Sequence, residues 1–263
     1  MGKGKPFLEV FSSALHEDYR FPFLEIFAFL YALGTFVFAS FGPAMYPPAL
    51  PSETMAYTLT SSILGAFSLF IFMILIFKNV AYGLGSDLEK GIIQTYFSYP
   101  LKRRGILTAK LLSALGIALI LLLSIQISAL YVLAPDIVSQ YLGTVLLTYA
   151  ATLSPSLLLA GIVLLVTLVL RRGGLALVVG IVLFFAMSII GQMAMFVAFS
   201  TGSPLALQIL TVISPAVVLQ YYYSPGLWTP TFSEVLLYIG TSYVVVAFLF
   251  FLGYLYFSRR LGL

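Results

Sequence analysis

Cysteine does not occur in this chain, which excludes disulfides and thiolate metal sites. Histidine occurs once, as His16, and asparagine once, as Asn79. A metalloprotease centre needs several His or carboxylate ligands, and no Ser–His pair can be drawn inside apolar segments that hold no histidine. The nucleotide-binding pattern GxxxxGK followed by Ser or Thr is missing as well; Gly2-Lys3-Gly4-Lys5 has neither its spacing nor a preceding strand. Charge is scarce. Only 8% of the 263 residues are Asp, Glu, Lys or Arg, against about 25% in a soluble domain. So few charges cannot cover a surface in water, and the solvent for most of the chain is hydrocarbon.

What is present is apolar sequence, 61% of the chain. A bilayer core about 30 Å thick is crossed by about 20 apolar residues of helix. Six such runs occur: Phe21 to Phe41, Tyr57 to Phe77, Ile106 to Leu133, Leu142 to Leu170, Leu175 to Phe199 and Val235 to Phe257. They are continuously apolar, whereas barrel strands alternate, so the fold class expected is an all-α integral membrane protein of six spans. The third and fourth runs exceed the need and are expected to tilt, kink or extend. Pro155 lies inside the fourth and removes a helical hydrogen bond. The first run is long enough to stay as a helix rather than act as a cleaved signal. Pro6 stands where N-myristoylation needs Ser or Thr.

The basic residues report orientation. With the N-terminus inside, the inner segments hold Lys3, Lys5, Arg20, Lys78, Lys90, Lys102, Arg103, Arg104, Lys110, Arg171, Arg172, Arg259 and Arg260, which is every Lys and Arg of the chain. The outer segments hold only Glu53, Asp136 and Glu234. By the positive-inside rule both ends are cytoplasmic and the protein is a multi-pass resident of the cell membrane. The net charge of +4 is thereby explained without nucleic acid.

Residues 7–20 read as an amphipathic helix, with Phe7, Leu8, Phe11 and Leu15 on one face and Glu9, Ser12, Ser13, His16 and Arg20 on the other. Such a helix lies in the headgroup layer. Gly42 to Ser52, with Pro43, Pro47, Pro48 and Pro51, reads as an irregular outer connection. The long outer segment 200–233 is apolar from Leu205 to Leu219 but broken at Ser214 and Pro215. It suits two short helices dipping into the outer leaflet. Tyr221, Tyr222, Tyr223 and Trp228 then serve either as an interfacial aromatic belt or as part of an outer gate.

The inner segment 78–105 is the most informative. Ile92, Ile93, Tyr96 and Phe97 form an apolar stripe; Lys90, Gln94 and Ser98 form a polar one. Asp87 and Glu89 stand at the expected helix start, where the dipole favours anions, and Pro100 closes it. Arg103 and Arg104 then meet the inner surface. This is a short amphipathic helix parallel to the membrane, either an anchor or a face offered to a partner.

Glu89, Gly91, Pro100, Arg103 and Lys110 stand in the order and spacing of the signature of type-2 ABC exporter permeases, which this segment resembles. Ile92 replaces that family's Thr, and Lys102 replaces its Ser before Arg103. Ile213-Ser214-Pro215 in the outer segment is also similar to the family, and the likeness extends over nearly the whole chain. The resemblance implies a single permease domain over 1–263 that exports a substrate as one of two membrane subunits, homodimeric or heterodimeric. Two cytoplasmic ATPase chains would supply the energy, with ATP and magnesium on those chains and no cofactor here. It implies an elbow helix at 7–20 and a coupling region containing Asp87, Glu89, Gly91, Gln94, Pro100, Arg103 and Lys110. Two alternatives remain open: a non-translocating assembly subunit of the same fold, and an ion-coupled secondary transporter, for which Glu25 is the candidate site. The polar residues within spans, among them Gln126, Ser128 and Gln192, serve either to bond helices together or to line a substrate path.

Overall fold

The computed structural model describes residues 5–20, 22–45, 52–97 and 101–260. Among these residues every regular element is helical and none is a strand. In chain order the helices are α1 (Lys5–Asp18), α2 (Phe23–Met45), α3 (Glu53–Leu64) and α4 (Ala66–Ile76), then a π-helical stretch (Phe77–Leu84), α5 (Gly85–Glu89), α6 (Ile92–Tyr96) and α7 (Arg103–Leu111). A second π-helical stretch (Leu112–Gly116) leads into α8 (Ile117–Leu133), followed by α9 (Pro135–Gln140), α10 (Leu142–Leu170), α11 (Gly173–Thr201), α12 (Leu205–Ile213), α13 (Ala216–Tyr223) and α14 (Phe232–Arg260). Five continuous helical runs are long and apolar enough to cross a membrane: Phe67–Glu89, Arg103–Leu133, Leu142–Leu170, Gly173–Thr201 and Phe232–Arg259. Taking α1 and α2 together as one bent pair makes six.

Several boundaries differ from the sequence expectation. α2 passes through Pro43 and ends at Met45, so the connection expected from Gly42 is helical at its start; Pro47, Pro48 and Pro51 lie outside the described residues. The second long helix starts at Glu53, where the Ser52 hydroxyl accepts the Met55 N–H at 3.2 Å. It does not stop at Phe77 but continues to Glu89. Half of the segment expected as a cytoplasmic loop is therefore the foot of this helix. Asp87 sits in its last turns rather than at the start of a new helix, and α6 begins only after Gly91, whose φ of 72° is the left-handed turn that glycine takes without strain.

α10 is the hub: α14, α3 and α11 all pack on it. The α10–α14 seam is built from small residues. A Cβ on Gly161 would lie 2.9 Å from Leu249 Cβ, one on Gly253 would lie 3.0 Å from Leu164, and the Ser154 and Ser242 hydroxyls bond at 2.5 Å. Small residues allow this close approach where no hydrophobic effect drives helices together.

The second long helix is interrupted at Gly65, which leaves carbonyls without their helical donors. Ser68 Oγ donates to the Ile63 carbonyl at 2.9 Å, Gln126 Nε2 donates to Ser68 Oγ at 2.7 Å, and the Tyr149 hydroxyl donates to Gln126 Oε1 at 3.2 Å. Three helices thus share one satisfied polar patch around a break that apolar surroundings would otherwise penalise.

The end opposite α1 is closed by α12 and α13, which form a pair of short helices divided at Ser214-Pro215. Its aromatic residues do not form an outward-facing belt. Tyr221 and Trp228 are buried, Tyr57 stacks on Tyr223 at 4.9 Å, and the Trp228 ring meets Tyr238 edge-on at 5.7 Å. They knit the hairpin to α3 and α14.

Candidate functional site at the basic end

The basic end gathers α1, the foot of the second long helix, α6, the start of α7, the α10–α11 turn and the end of α14. α1 presents Val10, Ala14 and Asp18 to the bundle, with Phe7 and Phe11 half-buried beside them. The expected apolar face is rotated: Leu8 is 61% exposed. Positions 7, 10, 11, 14 and 18 share one helical face, so the carboxylate of Asp18 enters the interior with the apolar residues.

A charge cluster surrounds it. Lys110, only 6% exposed, sits between Glu17 Oε2 at 2.8 Å and Asp87 Oδ2 at 2.5 Å, and Asp87 is 2% exposed. The Ser113 hydroxyl donates to Asp18 Oδ2 at 2.5 Å. The Lys78 ammonium donates to the Asp18 carbonyl and to Asn79 Oδ1 at 2.9 Å. Lys78 and Asn79 come from one π-helical stretch and Ser113 from the other. A π-turn displaces side chains from the α register and recurs at functional places; here the two stretches bring polar groups toward α1. Burial, partly offset by the Ser113 hydrogen bond and by Lys110 and Lys78, pushes the Asp18 carboxyl up to about 6.

A folded value above the unfolded one means that the protonated form is the one the fold favours. This contribution to stability is full below about pH 4 and is lost as pH rises through about 6. We expect the detergent-solubilised protein to lose thermal stability between about pH 4 and 6, and Asp18→Asn to reduce that loss. Equal slopes for the two proteins would refute it.

α6 is mounted on this platform. Ile93 is buried and Ile92, Tyr96 and Phe97 are half-buried, whereas Lys90, Gln94 and Thr95 are exposed. The Tyr96 hydroxyl bonds Ser13 of α1 at 3.2 Å, and its ring lies 5.4 Å from the Lys110 ammonium. Phe97 meets Phe257 of α14 edge-on at 6.3 Å and carries the Arg103 guanidinium 4.9 Å above its ring.

The candidate site residues thus divide. Gln94 is on the exposed face of α6, and Gly91 turns the chain into it. Asp87 and Lys110 face each other inside the bundle, and Arg103 covers Phe97. Glu89 reaches α11, its Oε2 accepting the Gly173 N–H at 3.2 Å. Pro100 and Ser98 lie outside the described residues. Glu25 is exposed in the first turn of α2. Glu17, Asp18, Lys78 and Ser113 complete the cluster and were not among the residues expected from sequence.

A second feature lies in the apolar middle. A cleft of about 1000 Å³ opens between α2 and α4 on one side and α10 and α11 on the other, closed at one end by α12 and α13. α11 touches the π-helical foot below and α12 above; between them Phe184, Met187, Ser188 and Gln192 face the opening across from Phe67 and Phe70. None of the cleft-lining residues is charged. Gln192 lines this cleft, Gln126 belongs to the patch at the helix break, and Ser128 is exposed on the far side of α8. Among the described residues no group of three or more His, Asp or Glu is placed to hold a metal.

No protein-family model matches the chain, and no curated protein matches it.

Proposed function

We propose that this chain is the membrane permease of an ABC exporter, powered by ATPase subunits on separate chains. The observation that carries the proposal is α6, a short helix whose Gln94 and Thr95 are exposed, with exposed Lys90 just before it, while its apolar side is fixed to α1 and α14. A helix held this way offers a surface to a partner and passes force into the bundle behind it. The signature from Glu89 to Lys110 supports the same reading. In it, the chain crosses the membrane six times with both ends and the basic end in the cytoplasm. α1 is the elbow helix, and α12 with α13 forms a hairpin in the outer leaflet. The outward faces of α11 and α14, rich in exposed Phe, Ile and Val, suit lipid and a second permease. An uncharged cleft suits a hydrophobic or amphipathic cargo.

The test uses the absence of cysteine. Thr95→Cys, purified with a candidate ATPase subunit, is expected to give a single crosslinked species to that ATPase. Absence of both complex and crosslink would remove the reading.

One observation favours ion coupling instead: a buried carboxylate, Asp18, that burial pushes up to about 6, in the same cluster as Asp87 and Lys110. Exposed Glu25 fits that role less well. Proton-dependent uptake into vesicles without any ATPase, abolished in Asp18→Asn, would select this alternative.

A further inference from the structure

The foot of α11 touches α5 backbone to backbone. A Cβ on Gly85 would stand 2.7 Å from Gly173 Cα, and a Cβ on Gly173 would stand 2.8 Å from the Tyr82 carbonyl oxygen and 2.9 Å from the Ser86 nitrogen. These neighbours are main-chain atoms and cannot rotate away as a side chain can. The same point is held by Glu89, which accepts the first amide of α11. A carboxylate there satisfies an orphan donor and sits at the positive end of the helix dipole. About two helix turns above, Gly180 lies against the Phe77 ring, where a Cβ would come within 3.1 Å. Beyond it Phe184 still meets the Phe77 ring edge-on at 6.3 Å, and Phe184, Ser188 and Gln192 line the cleft.

On its other side α5 is separated from α6 by Lys90 and Gly91 alone. A displacement of α6 is therefore delivered to α5 over two residues, and from α5 to α11 through contacts between backbones. The glycines are there because no side chain fits, and the consequence is a junction without slack.

We propose that Gly85, Gly173 and Glu89 are positioning residues that transmit movement of α6 to the α11 wall of the cleft, so that a partner seated on α6 sets the width of the cleft. This inference rests on the docking reading of α6 and adds to it the route by which docking reaches the membrane interior.

The experiment places spin labels at Phe70→Cys and Ser188→Cys, on facing walls of the cleft, in the full chain reconstituted with its ATPase. The label distance is compared between the nucleotide-free and vanadate-trapped states. We expect a shift in the otherwise unaltered chain and less than half of that shift in Gly173→Ala and in Glu89→Ala. Glu89→Gln keeps an acceptor for the Gly173 amide and is expected to retain the shift. A residue that merely stabilises the fold would not separate Gln from Ala in this readout while both bind ATPase. Should Gly173→Ala fail to fold, the Glu89 pair decides alone. A full shift in Glu89→Ala, or no shift in the parent despite the Thr95 crosslink, overturns the inference and leaves the docking reading standing. Failure of the Thr95 crosslink itself removes both.

Discussion

Lys110→Met is expected to destabilise the basic end by about 3–5 kcal/mol, the usual consequence of removing one partner of a buried ion pair. Lys110 holds Asp87 at 2.5 Å and Glu17 at 2.8 Å, and Asp87 has almost no access to water. Without the ammonium, the Asp87 carboxylate either remains charged and unpaired or takes up a proton, and both cost free energy. Glu17, half-exposed, is screened and adds little. The double variant Lys110→Met/Asp87→Leu removes the orphaned charge together with its partner, so most of the loss is expected to return. Unfolding in detergent, followed by aromatic fluorescence, measures both. A loss below about 1 kcal/mol for the single variant, or no recovery in the double, would show that the pair is not held in the way described.

The second large effect is expected at Gly161. Leucine there drives a branched side chain into Leu249 at a position where even a Cβ would stand at 2.9 Å. Overpacking of this kind costs about 1–3 kcal/mol, more where the backbone cannot yield. The seam joins α14 to its principal neighbour α10, so the damage is expected to spread along it. The Ser154–Ser242 bond lies further along the seam, and toward the basic end α14 contributes the Tyr254–Thr108 bond and the Phe257–Phe97 contact. Gly240→Leu on the same helix is the control, since nothing stands within 4 Å of a Cβ there. Thermal melting should fall sharply for Gly161→Leu and hardly move for Gly240→Leu. Equal melting of the two would remove the seam as a determinant of stability.

The length of α10, Leu142–Leu170, is legible in the sequence to the residue, because continuous apolar composition bounded by polar turns leaves no competing interpretation. The foot of the second long helix is not. Lys78, Asn79 and Asp87 look like a water-facing loop, and they can be helical only because Lys110, Ser113 and α1 supply partners from elsewhere in the chain. Pairing between distant segments leaves no local trace. α1 offers a different lesson. Val10, Ala14 and Asp18 share the buried face at helical spacing, whereas Leu8, the more hydrophobic residue, points outward. Gln126 is conspicuous as a polar residue in an apolar run, but its role depends on the interruption at Gly65 in the neighbouring long helix. The cleft between α4 and α11 has no sequence signal, since its lining is as apolar as the lipid-facing surface.

The charge cluster also has an order in time. Glu17 and Asp18 leave the ribosome first, Lys78 and Asp87 follow some sixty residues later, and Lys110 and Ser113 arrive last. Until that third segment emerges, Asp87 has no cation to face, and the polar foot of the second helix is better served by water at the membrane surface. The second helix is therefore expected to settle to its final depth only once the third is present. A nascent chain arrested before Lys110 is expected to hold its second hydrophobic segment at a shallower register than the finished protein.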